Sequence, residues 1–177
     1  VAIMGGSYGG YATLAGFTMT PDVFACGVDI VGPSNPLTPL ETIPPYWKPT
    51  MAMIHARMGD PETDRDLLIQ APPLTPVANI HRPLPLRQGA NDPRVKQAES
   101  DQIVEAMQAK NIPVTYVLYP DEGHGFARPE NRMSFFGIAE AFLAANLEGE
   151  FEPLGDALDA STAEILAGAD AVPGLAG

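Results

Sequence analysis

Cysteine is almost missing from this chain. Cys26 is the only one in 177 residues, so no internal disulfide can form and no thiolate cage for a metal can be built. Positive charge is scarce too: 10 Lys and Arg stand against 22 Asp and Glu, a formal net charge of −12 that argues against a nucleic-acid partner. No apolar run approaches the roughly 18 residues of a membrane span, and no basic head with an apolar segment opens the chain. What remains is a globular composition, 45% hydrophobic and 18% charged. At this length about 70% of the unfolded surface can be buried in one core. The chain opens on Val1-Ala2-Ile3-Met4, the body of a strand with no initiator methionine before it. We expect an N-terminal cut, with part of the sheet encoded upstream.

Four short apolar runs read as strands: Val1 to Met4, Cys26 to Val31, Leu84 to Gln88 and Val114 to Tyr119. Between the first two, Tyr8 to Met19 carries Leu14, Ala15 and Thr18 at helical spacing, and Pro21 stops it. A second helix is predicted over Val95 to Lys110, with Ile103, Val104 and Met107 opposite Lys96, Glu99, Asp101 and Glu105. A third, about Asn131 to Leu147, carries Phe135, Phe136, Ile138, Phe142 and Leu143 and is expected to pack broadly on the sheet. The alternation predicts an α/β fold, a parallel sheet with flanking helices. Thirteen of the 19 prolines fall between Pro33 and Pro93. Residues 33–83 therefore read as an insertion that leaves the sheet, with a short helix opened by Asp60-Pro61 and a Pro44-Pro45-Tyr46-Trp47 run too aromatic for a linker. Such excursions commonly line a site at the carboxyl edge of the sheet. After Gly149 the composition turns to Ala, Gly and Asp, with one weak helical patch near Ser161 to Leu166, and residues 154–177 are expected to be a peripheral tail.

The strongest chemical signal is Gly5-Gly6-Ser7-Tyr8-Gly9, a G-x-S-x-G between a strand and a helix. Out of context it would be a plain glycine-rich turn. In this context the strained turn lifts Ser7 clear of the sheet, and glycines are expected at Gly5 and Gly9 because a β-carbon would collide across it. The Tyr8 amide opens the helix and is the candidate oxyanion donor. A serine nucleophile needs a base and the base needs an orienting partner. Of the three histidines, His55 falls in the insertion and His81 precedes a strand, both read as structural or surface residues. His124 lies in Glu122-Gly123-His124-Gly125-Phe126, past the last predicted strand, and is the candidate base. A metal site on Asp121, Glu122 and His124 is its rival, weakened by the lack of a second local histidine. Asp92, in Gln88-Gly89-Ala90-Asn91-Asp92-Pro93-Arg94-Val95, is the candidate acid. Its plain reading is an N-cap with proline at N1, but the chain order Ser7, Asp92, His124, each just past a strand, is that of α/β-hydrolases.

Together these three motifs resemble the catalytic domain of the prolyl oligopeptidase family, above all its bacterial dipeptidyl aminopeptidases and acylaminoacyl peptidases. The resemblance spans about Val1 to Pro153 and implies that residues 1–153 are the C-terminal part of an α/β-hydrolase catalytic domain. It further implies a serine peptidase that cleaves short peptides and needs no metal or organic cofactor, with a β-propeller and the rest of the catalytic domain upstream. By resemblance, Arg94 holds a substrate carbonyl, and Tyr8, Tyr11, Trp47 and Val95 line the pocket for the side chain before the scissile bond; the plain readings are a solvated arginine and simple core. Aromatic walls there favour an apolar or proline side chain. A second oxyanion donor, a tyrosine hydroxyl upstream of the elbow strand in the family, lies outside this sequence. One stretch departs from the pattern: Leu84-Pro85-Leu86-Arg87 replaces an unbroken apolar run, removing a ladder donor at Pro85 and putting a charge into a buried strand at Arg87. Two rival functions remain, a carboxylesterase or lipase on the same fold and an incomplete hydrolase half that acts only as an interaction module.

Overall fold

The computed structural model describes residues 1–37, 40, 43, 45–70 and 77–176, so Pro44 of the aromatic run lies outside the described residues. Five strands form one sheet: β1 (Ala2–Gly6), β2 (Cys26–Ile30), β3 (Leu84–Gly89), β4 (Val114–Tyr119) and β5 (Glu164–Ala167), hydrogen-bonded in that order. The first three pairings are parallel and the last is antiparallel. All six residues of β3 and all six of β4 are buried, as expected for parallel strands covered on both faces.

Alternation along each strand divides the interior into two layers. On one face Leu84, Leu86, Val114 and Tyr116 meet helices α1 (Tyr8–Met19) and α4 (Gln97–Gln108) through Leu14, Phe17, Ile103, Val104 and Met107. Phe17 takes the place that a side chain on Gly27 would occupy, since a β-carbon there would stand 2.6 Å from its ring. On the other face Cys26, Val28, Val117 and Tyr119 meet α5 (Pro129–Leu147) through Phe135, Ile138 and Phe142. Each of these fully buried side chains contributes on the order of 2 kcal/mol, which is why the long apolar helix sits over the middle of the sheet. Phe136, assigned to the same packing face, is instead 52% exposed.

Several expectations need correction. The patch near Ser161 to Leu166 is not helical: Glu164–Ala167 is β5, because pairing with Val117 and Leu118 of β4 overrides a weak local preference. Nor is the stretch after Gly149 wholly peripheral, since Leu154, Val172 and Leu175 are buried in the α5 layer. Asp60-Pro61 makes a turn rather than opening a helix; the Asp60 carboxylate accepts the Glu62 amide at 2.8 Å, and helix α3 (Arg65–Gln70) starts four residues after Pro61. Glu99, expected on the solvent face of α4, is buried and accepts the Ser34 amide at 2.9 Å, tying α4 to the loop after β2. Within the insertion, a 3₁₀ turn (Pro45–Thr50) leads into α2 (Met51–Met58), the helix that carries His55.

Candidate active site

The carboxyl ends of β1, β3 and β4 converge on one point. Ser7 follows β1 with φ 58 and ψ −120, a conformation that L-residues rarely adopt, and its amide is fixed by the Ile30 carbonyl of the neighbouring strand at 2.8 Å. A β-carbon on Gly5 would lie 2.1 Å from the Gly9 carbonyl oxygen, so the turn is possible only with glycine at position 5. The same requirement does not hold at Gly9, where a β-carbon would meet nothing within 4 Å; at that end the tight position is Gly10, whose β-carbon would strike Asp29 Oδ1 and the Gly32 Cα. Hydrogen bonding in α1 begins with the amides of Gly10 and Tyr11 on the Ser7 carbonyl, which leaves the Tyr8 N–H among the free donors of the helix start.

Asp92 stands in the loop after β3 and is 3% exposed. It does not cap a helix, because α4 starts only at Gln97 with Lys96 as N-cap. Instead Oδ1 accepts the amides of Arg94 and Val95 at 2.8 and 2.9 Å, an Asx turn, while Oδ2 meets His124 Nδ1 at 2.8 Å. His124 Nε2 in turn lies 2.8 Å from Ser7 Oγ. A carboxylate only accepts, so the imidazole proton belongs on Nδ1 and the Nε2 lone pair faces the serine hydroxyl. Hydroxyl, imidazole and carboxylate thus form one line of hydrogen bonds drawn from three loops.

Backbone contacts join the two downstream loops. A β-carbon on Gly89 would stand 2.4 Å from the Gly123 carbonyl, and Asn91 donates its amide to Glu122 O at 2.9 Å and its side chain to Pro120 O at 2.7 Å. The glycines flanking His124 are not themselves the tight points, for Gly125 has open space and Gly123 only an ordinary contact at 3.7 Å. The two acids weighed with His124 as metal ligands have other work. Glu122, 2% exposed, accepts the amides of Ala127 and Arg128 and the Asn131 side chain, while Asp121 takes Arg128, Asn131 and the Thr162 hydroxyl.

A cleft of about 120 Å³ opens beside Ser7 and His124 and is lined by Tyr8, Leu40, Ile43, Trp47, Ile54, Met58, Arg94 and Val95. Of the residues proposed for substrate, Tyr8, Trp47, Arg94 and Val95 therefore line it. Tyr11 does not; it stacks on Tyr8 with centroids 5.4 Å apart, and burial together with the neighbouring Tyr8 raises its phenol above the usual range. Arg94 donates to the Tyr46 hydroxyl at 2.6 Å and stands 5.1 Å from the Trp47 ring centre. The remaining histidines lie elsewhere, His55 Nδ1 at 3.1 Å from Asp60 and His81 on the surface at 3.2 Å from Asp22. Leu40, Ile43, Ile54 and Met58 escaped the sequence reading. Only Ile54 and Met58, four apart on α2, left a periodic trace, because the proline-rich stretch around the others has no period.

A largely parallel sheet, a strained serine elbow after a strand, and acid and histidine on later loops define the α/β-hydrolase class. The chain belongs to the prolyl oligopeptidase family, a family of serine peptidases, whose model matches residues 1–150. It is 64% identical to dipeptidyl aminopeptidase BIII of Pseudoxanthomonas mexicana over 99% of this chain and 26% of that protein. Dipeptidyl peptidase family member 6 of Caenorhabditis elegans is 54% identical over 86% of this chain and 21% of its own. Among solved structures, a puromycin-hydrolysing peptidase of Mycobacterium tuberculosis superposes with a TM-score of 0.74 at 28% identity, covering 84% of this chain and 22% of that one. The chain thus spans about a quarter of the length of the curated relatives it matches.

Proposed function

We propose that the intact protein is a serine peptidase of short peptides, with Ser7 as nucleophile, His124 as base and Asp92 as the group that orients it. The observation that carries this reading is the continuous line from Ser7 Oγ to His124 Nε2 and from His124 Nδ1 to Asp92 Oδ2, each step 2.8 Å. As Ser7 attacks the scissile carbonyl, its proton passes to Nε2. The oxyanion forms near the Tyr8 amide at the positive end of α1, and the imidazolium returns the proton to the departing amine. Water, deprotonated by the same imidazole, then releases the acyl group. The lining of the cleft offers the substrate apolar surface, with Arg94 beside it as a donor for a peptide carbonyl. The part of the protein outside this chain is proposed to supply the remaining strands, a second oxyanion donor and a β-propeller that selects short peptides, in keeping with relatives about four times its length.

Ser7→Ala in the intact protein is expected to lower peptide turnover by roughly 10⁴ to 10⁶. Retained turnover in that variant overturns the assignment. The same preparation, offered an aminoacyl-peptide chromogen and a short acyl ester, separates peptidase from carboxylesterase by the ratio of kcat/KM, and a ratio favouring the ester would support the esterase.

A further inference from the structure

Arg87 is a cation inside a parallel strand, 6% exposed, where Leu84 and Leu86 on the same strand point into the opposite layer. Its guanidinium carbon stands 3.2 Å from the centre of the Phe126 ring and 4.6 Å from that of Phe135, so the planar cation lies against two aromatic faces. Among the described residues it forms no ion pair within salt-bridge distance, and its Nε meets no acceptor. Burial pulls the guanidinium down to about 10, with Tyr119 and the buried Glu122 working the other way. A cation in such a place is held by ring quadrupoles and by a nearby carboxylate, and it in turn holds them.

What it holds lies on either side of the histidine. Phe126 is two residues after His124 and Glu122 two residues before it. The Glu122 carboxylate already gathers the amides of Ala127 and Arg128, which close the loop around the imidazole. Phe126 also packs edge-on against Tyr119 at the end of β4, with centroids 4.6 Å apart. We propose that Arg87 is a positioning residue for His124, fixing the histidine loop through its seat on Phe126. The proposal rests on the peptidase reading above. An apolar residue of the same length would fill the space but lose the attraction between the cation and the two rings. Lysine would keep the charge but not the planar face that covers both rings.

The test uses the intact protein and the variants Arg87→Met, Arg87→Lys, Phe126→Leu and Ser7→Ala. Arg87→Met is expected to lower kcat by about 10-fold to 100-fold while KM stays within about twofold, the pattern of a mispositioned catalytic group. Labelling of Ser7 by a fluorophosphonate should slow in parallel, and the low-field proton resonance of the His124–Asp92 hydrogen bond should shift or broaden. Arg87→Lys should fall between Met and wild type. A folded Arg87→Met protein with wild-type kcat and an unmoved low-field proton overturns the proposal. If Arg87→Met fails to fold, Phe126→Leu decides, since the proposal requires the same kcat loss there and wild-type kcat overturns it. Turnover by Ser7→Ala would mark a failure of the peptidase reading itself. An inert Ser7→Ala beside an unaffected Arg87→Met would discard the positioning role alone.

Discussion

Replacing Asp92 separates two tasks that one carboxylate performs through different oxygens. Oδ1 holds the turn by accepting the amides of Arg94 and Val95, and Oδ2 holds the imidazole. Asparagine keeps an oxygen for the two amides but presents an NH₂ group to His124 Nδ1. Facing a donor, the imidazole must turn a lone pair towards position 92 and carry its proton on Nε2, where it can no longer accept the proton of Ser7. Turnover should then drop about 10⁴-fold, which at 1.36 kcal/mol per tenfold adds about 5 kcal/mol to the barrier. The turn loses only the difference between a charged and a neutral acceptor, about 1 kcal/mol for each of the two amides. Alanine removes both tasks. It also strips the acceptor from two amides, at about 1.5 to 3 kcal/mol each, so Asp92→Ala should be destabilised by about 3 to 6 kcal/mol. The assay pairs steady-state turnover of an aminoacyl-peptide chromogen with thermal melts of wild type, Asp92→Asn and Asp92→Ala. Wild-type turnover by the asparagine variant refutes the tautomer reasoning. Coincident melts of the two variants refute the division of labour between the oxygens.

Three further outcomes follow from neighbouring parts of the fold. Gly5→Ala should prevent the elbow from forming, seen as loss of fluorophosphonate labelling and a lowered melt, because its β-carbon falls 2.1 Å from the Gly9 carbonyl. Gly9→Ala faces open space within α1 and should raise stability by about 0.5 to 1 kcal/mol, read from the same melts. Asp29, 1% exposed and wedged against Gly10 and Gly32, is pushed up to about 7 by burial, which the nearby Gly32 amide opposes only in part. A carboxyl raised in the fold favours the native state fully below its ordinary value near 3.8, and that advantage is lost as pH climbs towards about 7. At pH 8 the buried charge costs about 4 kcal/mol, from a shift of about three units at 1.36 kcal/mol each. Asp29→Asn should therefore melt higher than wild type at pH 8, with the gap less than half as large at pH 5 and closed only below about pH 4; a gap that does not change with pH contradicts the argument.

The serine elbow was legible because its cause is local: glycine spacing around Ser7 at a strand-to-helix junction reports a steric demand that five residues settle among themselves. The candidate acid was legible by position, and the plain alternative, Asp-Pro as a helix cap, fails because the turn that Asp92 closes ends before the helix starts. Strand β5 was hidden for the opposite reason. Glu164-Ile165-Leu166-Ala167 has no strong preference of its own and becomes a strand only by lying against β4, a pairing across 46 residues of sequence between Leu118 and Glu164. The apolar wall of the cleft was hidden by prolines that erase any period. Arg87 was visible as an anomaly, but what accommodates it, two phenylalanine rings brought from 39 and 48 positions away, belongs to tertiary structure alone.

The ladder between β2 and β3 matches only two positions, Asp29 with Leu86 and Ile30 with Arg87, whereas its neighbours match five and six. Everything that orients the imidazole sits on one side of that seam, and the hydroxyl it serves sits on the other. What keeps hydroxyl and imidazole together across so short a ladder is therefore the packing that spans it, Leu14 and Phe17 against Leu84 and Leu86 on one face and Cys26 and Val28 against Val117 and Tyr119 on the other.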